Sequence, residues 1–82
     1  MTSFDEFPTL EIGSTGAWVV IVQCMLRDIF DGMFTVHIDG VFGKETQAAV
    51  YVIQQRNNIT VDGIIGNKET WPALISEWWT LK

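Results

Sequence analysis

Residues 38–43 read IDGVFG and residues 61–66 read VDGIIG, and this repeated hexapeptide decides the fold. Its aspartate can accept hydrogen bonds from backbone N–H groups just ahead of it, which closes a turn. The glycine after the aspartate can adopt positive φ, and the second glycine lets the chain bend into the next helix. We therefore predict two equivalent corners, with structural roles for six loop residues: Asp39, Gly40, Gly43, Asp62, Gly63 and Gly66.

The repeat continues on both sides of these corners. VxxVQ at 19–23 is matched by VxxIQ at 50–54, and TQAAV at 46–50 is matched by TWPAL at 70–74. Each unit is therefore the end of one helix, a tight loop and the start of the next helix. Gln23 and Gln54 fall at the helix ends, where we expect them to satisfy buried backbone groups rather than to bind a ligand.

Apolar residues at spacings of three and four predict three helices. The expected bounds are Gly16 to Asp31, Lys44 to Asn57, and a start between Asn67 and Thr70 with an end near Thr80. Together they predict an all-α fold, a compact three-helix bundle that forms a single domain over residues 1–82.

Local signals predict how these helices begin and end. Ser14 or Thr15 can cap the first helix, and Gly32 is placed to end it in the left-handed conformation. Pro72 is tolerated only near a helix start, which favours Thr70 as the cap of the third helix.

The first nine residues are expected to form an extended arm. Pro8 disfavours helix at Phe7, and the aromatic residues of this segment have no helical spacing. We expect Phe4 and Phe7 to cover one end of the core.

Charge and composition argue against several partner classes. The formal net charge is −5, and the five cations are spread over the whole chain. Neither nucleic acid nor an anionic membrane is therefore an expected partner. The longest apolar run, residues 17–22, is far too short to span a bilayer, and no secretory signal is visible. Cys24 is the only cysteine, so no internal disulfide can form.

No catalytic or metal site is expected. A calcium loop needs oxygen ligands at alternating positions, where the first corner has Val41 and Gly43. His37 is the only histidine and has no cysteine near it to complete a zinc site. No serine or cysteine is arranged with a histidine and an acid for nucleophilic catalysis. We predict no enzyme activity, no cofactor and no bound metal.

The two units together resemble the peptidoglycan-binding domain family, found attached to bacterial and phage cell-wall hydrolases. One DGxxG motif is weak, but two, each preceded by an apolar-x-x-apolar-Gln helix end, are specific. The resemblance covers roughly residues 7–74 and rests on Leu10, Gly13, Gly16, Val19, Val22, Gln23, Leu26, Asp39, Gly40, Phe42, Gly43, Thr46, Ala49, Val50, Ile53, Gln54, Asp62, Gly63, Gly66, Thr70, Ala73 and Leu74.

This resemblance implies non-catalytic binding of bacterial cell-wall peptidoglycan. It also implies a linked or associated wall hydrolase as a partner, and an extracellular or cell-wall location. The chain departs from the family pattern in four places. Three residues instead of two separate Gly66 from Thr70, and position 53 is Ile where Phe is common. Positions 18, 20 and 24 are apolar instead of polar, and a Trp-rich tail follows the motif.

Four residues are candidate ligand contacts: Tyr51, Gln55, Trp71 and Trp79. Aromatic rings stack on the C–H faces of sugars, and neighbouring amides bind the hydroxyl groups. Tyr51 and Trp79 are expected to be at least partly exposed. Trp71 also falls on the inward stripe of the third helix, which favours a structural role and leaves its assignment open.

The outer face of the first helix has an unexpected composition. Ala17, Val20, Ile21 and Cys24 lie on the side where a surface helix is normally polar. Either the N-terminal arm covers this face, or it contacts another protein. The second case allows a weak homodimer in place of a monomer. It also gives an alternative function, a protein–protein interaction module that uses this face and the Trp-rich tail.

Overall fold

Three helices joined through two tight corners form the computed structural model, which describes residues 6–33 and 35–81. The helices are α1 (Ala17–Ile29), α2 (Lys44–Arg56) and α3 (Thr70–Thr80). Within the described residues no strand occurs, only two isolated antiparallel bridges, Leu10 with Ile65 and Thr15 with Val41. The predicted all-α three-helix bundle is confirmed. We call residues 38–43 the first corner and residues 61–66 the second corner.

The core is built from the apolar stripes of the three helices and from one apolar residue of each corner. Phe42 and Ile65 are the two corner residues, and both are fully buried. Only one residue of each apolar pair between the glycines is buried, since Val41 is 49% exposed and Ile64 is partly exposed. The buried hydrophobic residues are Leu10, Val19, Val22, Leu26, Phe30, Val36, Phe42, Ala49, Val50, Ile53, Ile65, Trp71 and Leu74.

The buried side chain of Gln23 holds the first corner closed. Its Oε1 accepts hydrogen bonds from the backbone N–H groups of Asp39 and Gly40, at 3.1 and 2.9 Å. Its Nε2 lies within donating distance of Asp39 Oδ1, the carbonyl of Val41 and the hydroxyl of Thr46, at 3.1, 3.0 and 3.1 Å. One amide therefore joins α1, the loop and the first turns of α2.

Gln54 makes the same five contacts at the second corner. Its Oε1 accepts from the backbone N–H groups of Asp62 and Gly63, at 3.0 and 2.9 Å. Its Nε2 reaches Asp62 Oδ1, the carbonyl of Ile64 and the hydroxyl of Thr70, at 2.9, 3.0 and 3.1 Å. The expectation that both glutamines satisfy buried backbone groups is confirmed.

The segment before α1 ties the two corners together. Leu10 exchanges backbone hydrogen bonds with Ile65 of the second corner, at 3.1 and 2.8 Å. Six residues later, the N–H of Gly16 donates to the carbonyl of Gly40 in the first corner at 3.0 Å. Both corners are therefore anchored to one short stretch of chain, and the predicted arm packs through its last residues. Phe4 and the rest of residues 1–5 lie outside the described residues.

The predicted start of α1 was wrong in detail. Neither Ser14 nor Thr15 caps the helix, because Gly16 is the N-cap and no side chain bonds to it. The hydroxyl of Ser14 instead accepts a hydrogen bond from the N–H of Glu11 at 3.1 Å. Thr15 is in the bridge to Val41. Ser14 and Thr15, which the local sequence assigned to the cap, therefore pair with the first corner instead.

The other end of α1 and the start of α3 also differ from expectation. Phe30 already leaves helical backbone, so α1 ends at Ile29 rather than Asp31. Gly32 has φ of 80°, in the left-handed conformation that was predicted. Thr70 is the first residue of α3 and Glu69 is the N-cap, so the predicted Thr70 cap was wrong. The Thr70 hydroxyl is occupied by Gln54.

The carboxylate of Glu77 joins the end of α2 to α3. Arg56 forms an ion pair with Glu77, and Nδ2 of Asn57 donates to Glu77 Oε2 at 2.6 Å. The Arg56 guanidinium also lies 4.9 Å from the ring centroid of Phe30. Partial burial acts to raise the pKa of Glu77, but the hydrogen bonds from Arg56 and Asn57 outweigh it and hold the pKa below its ordinary value. The hydrogen bond between Arg56 and Glu77 also raises the pKa of Arg56.

We expect Gln23→Met and Gln54→Met each to destabilise the protein by about 2–4 kcal/mol, because methionine keeps the volume but leaves buried polar groups unpaired. Gln55→Met is the matched control, since Gln55 is exposed and adjacent to Gln54. The measurement is chemical denaturation followed by circular dichroism. Equal midpoints for Gln54→Met and Gln55→Met would refute the role assigned to the buried amide.

We expect Glu77→Gln to destabilise the protein by about 0.5–1 kcal/mol at neutral pH, since the ion pair is partly exposed. A lowered folded-state pKa means that Glu77 contributes stability above its unfolded pKa and loses it as the pH falls through the folded pKa. The difference in melting temperature between wild type and Glu77→Gln should therefore shrink as the pH drops below roughly 4. A difference that stays constant from pH 7 to pH 3 would contradict this assignment.

Candidate ligand-binding surface

Two side chains of α2 lie directly on the backbone of the second corner. Gly63 is buried with φ of 73°. A Cβ atom at this position would stand 3.0 Å from Cγ of Gln47 and 3.1 Å from Cε1 of Tyr51. The glycine is therefore needed twice, for its φ and for the close approach of these side chains. The result is an amide and a phenol ring held side by side at the surface.

The first corner has an apolar counterpart of this arrangement. Val20 precedes Gln23 by three residues, just as Tyr51 precedes Gln54. Gly40 has φ of 75°, and a Cβ there would stand 3.3 Å from Cγ2 of Val20. The two corners thus have the same backbone design, but only the second one presents an aromatic phenol and an amide to solvent.

A shallow depression adjoins the second corner. Its volume is about 200 Å³, and it is lined by Thr9, Asp62, Ile64, Gly66, Asn67, Lys68, Glu69 and Thr70. The extra residue between Gly66 and Thr70 contributes to it. At the first corner α2 begins directly after Gly43, whereas residues 67–69 form a turn before α3 begins. The added turn moves the chain away from the loop and leaves a recess between them.

The sequence-predicted contacts occupy different environments. Tyr51 is half-buried at the second corner, and Gln55 is exposed one turn further along the same face of α2. Trp79, near the end of α3, is 69% exposed. Within the described part of the chain, no hydrogen bond or ring contact joins Tyr51, Gln55 and Trp79. Tyr51 and Gln55 therefore form a pair on α2, and Trp79 is a separate ring on α3.

Trp71 is a core residue in this structure, so we remove it from the candidate ligand contacts. Its side chain is 0% exposed. Its indole N–H donates to the carbonyl of Pro8 at 2.7 Å. Its ring lies 5.0 Å from that of Phe7 and 5.8 Å from that of Trp18, both edge-on. The inward stripe of α3 already favoured this structural role.

Sequence reasoning missed Gln47, which contacts the same glycine as Tyr51. The available signal was its spacing, because Gln47, Tyr51 and Gln55 are successive i, i+4 positions of one helix. That spacing places the Gln47 amide on one side of the Tyr51 ring and the Gln55 amide on the other. The contact with Gly63, however, depends on the three-dimensional return of the chain and not on spacing along it.

Hydrogen bonds from the loop and from α1 hold the carboxylate of the first corner in place. Oδ1 of Asp39 accepts a hydrogen bond from the N–H of Val41 at 3.0 Å. This bond and the one from the Gln23 amide hold the pKa of Asp39 below its ordinary value. Asp39 is therefore ionised at neutral pH and acts as a loop-closing acceptor rather than as a proton donor.

No metal-binding group was found in the described residues, where no three His, Cys, Asp or Glu side chains come together. His37 Nδ1 lies 2.6 Å from Oε1 of Glu45 in an exposed pair. None of the described helices is both long and apolar enough to cross a bilayer.

A second candidate surface is the outer face of α1. Ala17, Val20, Ile21 and Cys24 are all exposed. Phe7 of the N-terminal arm packs at the edge of this face, its ring 5.2 Å from that of Trp18 and 5.0 Å from that of buried Trp71. The remaining arm residue that was expected to cover this face, Phe4, lies outside the described residues.

The chain is similar to a known protein family and to solved structures. The sequence matches the family model described as "Putative peptidoglycan binding domain" over residues 15–74. Among solved structures, the SleB N-terminal domain is similar with a TM-score of 0.74 and 28% identity, over 87% of this chain and 93% of that one. No curated protein sequence matches the chain.

A second solved structure is a fused Zn-dependent amidase/peptidase/peptidoglycan-binding domain-containing protein from Clostridium acetobutylicum ATCC 824. Its similarity has a TM-score of 0.71 and 30% identity. The match spans 82% of this chain but only 28% of that much longer protein. Since the family model covers most of the sequence and includes both corners, the chain belongs to the peptidoglycan-binding domain family.

Proposed function

We propose that this protein binds bacterial cell-wall peptidoglycan without cleaving it, through the second corner. The observation that carries this proposal is the pairing of the half-buried Gln47 and Tyr51 on Gly63, in a chain of the peptidoglycan-binding family. A phenol ring can stack on the C–H face of a sugar, and flanking amides can bond to its hydroxyl and acetamido groups. Gln55 extends the amide contacts along α2.

The shape of this surface suits a polymer better than a small metabolite. Small-molecule sites are usually enclosed cavities of about 300–1,000 Å³ that bury most of the ligand. The depression at the second corner is smaller and open, with an edge formed by Asp62 and Ile64. An extended glycan strand or its peptide stem can lie across such a recess and continue past it.

The proposed role is to concentrate a linked or associated wall hydrolase on its substrate, at an extracellular or cell-wall location. The similar clostridial protein is named as a fusion of amidase and binding domain, and this chain spans 28% of it. Tethering a catalytic unit to a bound module raises its effective concentration at the wall without any new chemistry.

A protein–protein interaction module is the second candidate function. The exposed apolar face of α1 favours it, together with Trp79 and Leu81 near the end of the chain, which are 69% and 53% exposed. Large exposed hydrophobic side chains that cluster commonly mark a contact surface. The apolar face of α1 and the second corner are different surfaces, so variants there test the two functions separately, whereas Trp79 is a candidate contact in both.

We expect Tyr51→Ala and Trp79→Ala each to reduce retention on purified insoluble peptidoglycan by roughly 5- to 10-fold, which corresponds to about 1–1.4 kcal/mol of lost ring contact. Tyr51→Phe should keep most of the retention if stacking dominates. Met33→Ala is the control, because Met33 is also highly exposed but lies in the turn after α1. The assay is co-sedimentation with the wall, with melting temperatures recorded for each variant.

Failure of the wild type to co-sediment with peptidoglycan would overturn the proposed function. Unchanged retention in both aromatic variants would remove these two rings as contacts and favour the protein-partner function. Release of dye from labelled peptidoglycan by the purified protein would contradict non-catalytic binding.

A further inference from the structure

The outer surface of α1 and the adjoining first corner form a continuous apolar patch, which we call the α1 face. It consists of Ala17, Val20, Ile21 and Cys24, extended on one side by Val41. Val20, Ile21 and Val41 are 37%, 43% and 49% exposed. Val20 connects the two parts, since it packs over Gly40 next to Val41. Along α1 no charged residue interrupts this face before Arg27 and Asp28, and the exposed Asp39 borders it at the first corner.

We propose that the α1 face binds the α1 face of a second copy of this protein, with the two α1 helices antiparallel about a twofold axis. The exposed apolar area is on the order of 400 Å², within the roughly 300–600 Å² of the largest patch on a typical monomer. Pairing two such faces, with their polar rims, buries roughly 1,000 Å² in total, near the lower limit for a specific interface. The dimer is therefore weak and depends on concentration.

The charges at the two ends of the face select the antiparallel arrangement. No acidic residue lies in the first turn of α1 and no side chain caps it, so no residue of the helix start compensates the positive end of the helix dipole. Asp28 lies about three turns after Ala17 on the same side of the helix. Its carboxylate accepts a hydrogen bond from the indole N–H of Trp78 at 3.1 Å, which positions it at the surface.

In the antiparallel pair, Asp28 of each copy lies at the N-terminus of the other α1. Ile21 then packs against Cys24 of the second copy at the centre of the contact. A parallel pair would instead place the two Asp28 carboxylates together and the two helix N-termini together, which electrostatic repulsion opposes. Because of the twofold axis, each Asp28 carboxylate lies at the N-terminus of the other α1, as expected for an isologous dimer.

Pairing would also change how the protein holds a polymer. The second corner lies between α2 and α3 and contains no residue of the α1 face, so each dimer presents two wall-binding surfaces. If the proposed function holds, two linked sites on one polymer increase retention through effective concentration. This consequence rests on the proposed function, whereas the pairing itself does not.

The first test is sedimentation velocity over a concentration series of the full chain. We expect the wild-type mass to rise toward twice the monomer value, and Ile21→Lys to remain monomeric with an intact helical spectrum. Val20→Lys gives a second variant on the same face. Met33→Lys is the matched control, because it adds the same charge at an exposed apolar residue outside the face and should dimerise like wild type. A wild type that is monomeric up to millimolar concentration, or an Ile21→Lys variant that still dimerises, would overturn the proposal.

The second test uses the single cysteine and needs no destabilising change. In the antiparallel pair the two Cys24 side chains lie within roughly 10 Å, given ordinary helix separation. A short bismaleimide should therefore crosslink wild type into a covalent dimer, and Ile21→Lys much less. Equal crosslinking of both would refute the proposed contact.

Wall co-sedimentation of the same proteins separates the two proposals. Folded, monomeric Ile21→Lys should still bind peptidoglycan but wash off several-fold faster than wild type. A wild type that dimerises without binding the wall refutes the proposed function and leaves the pairing supported. A monomeric wild type that binds the wall refutes the pairing alone.

Discussion

Both corners depend on the carboxamide of one buried glutamine, because this group donates and accepts hydrogen bonds within a single rigid plane. At each corner the oxygen takes two loop N–H groups and the nitrogen reaches the aspartate, a loop carbonyl and a helix hydroxyl. A carboxylate could not donate, and a hydroxyl is too small to span all of these groups. No buried side-chain nitrogen or oxygen in the described residues lacks a partner. The corners can therefore pack closely and exclude water without the free-energy cost of unpaired buried polar groups.

The internal repeat separates what the fold requires from what each copy can vary. The inward positions agree closely between the units, because they meet the same amide and the same glycine backbone. The outward position three residues before each glutamine is unconstrained by that network, and here it is Val20 in one unit and Tyr51 in the other. The added residue before α3 lengthens the turn that lines a recess at the second corner. Divergence of two structurally equivalent corners thus places a phenol beside one corner and an apolar side chain beside the other.

Sequence reasoning predicted the elements whose determinants are local or periodic. The three helices, the left-handed Gly32 and the role of Gln23 and Gln54 all followed from spacing or from a motif read twice. The errors occur where a distant segment competes for a group. Thr70 looked like a cap but gives its hydroxyl to Gln54 instead. The spacing placed Trp71 on the core stripe but could not show its hydrogen bond to Pro8. Nor could it show the contact of Gln47 with Gly63. Both contacts join segments that are brought together only by the three-dimensional fold.

The proposed contacts all lie at the surface of a small domain. A chain of 82 residues has a low ratio of volume to surface, so three helices and two corners use nearly all of its interior for one core. The buried polar side chains among the described residues, Gln23, Thr46, Gln54 and Thr70, all take part in closing the corners. The candidate contacts are therefore outward side chains beside an open recess. Such contacts suit a ligand that repeats along a polymer, since many weak sites and a second binding surface on the same particle can supply the retention that one recess cannot.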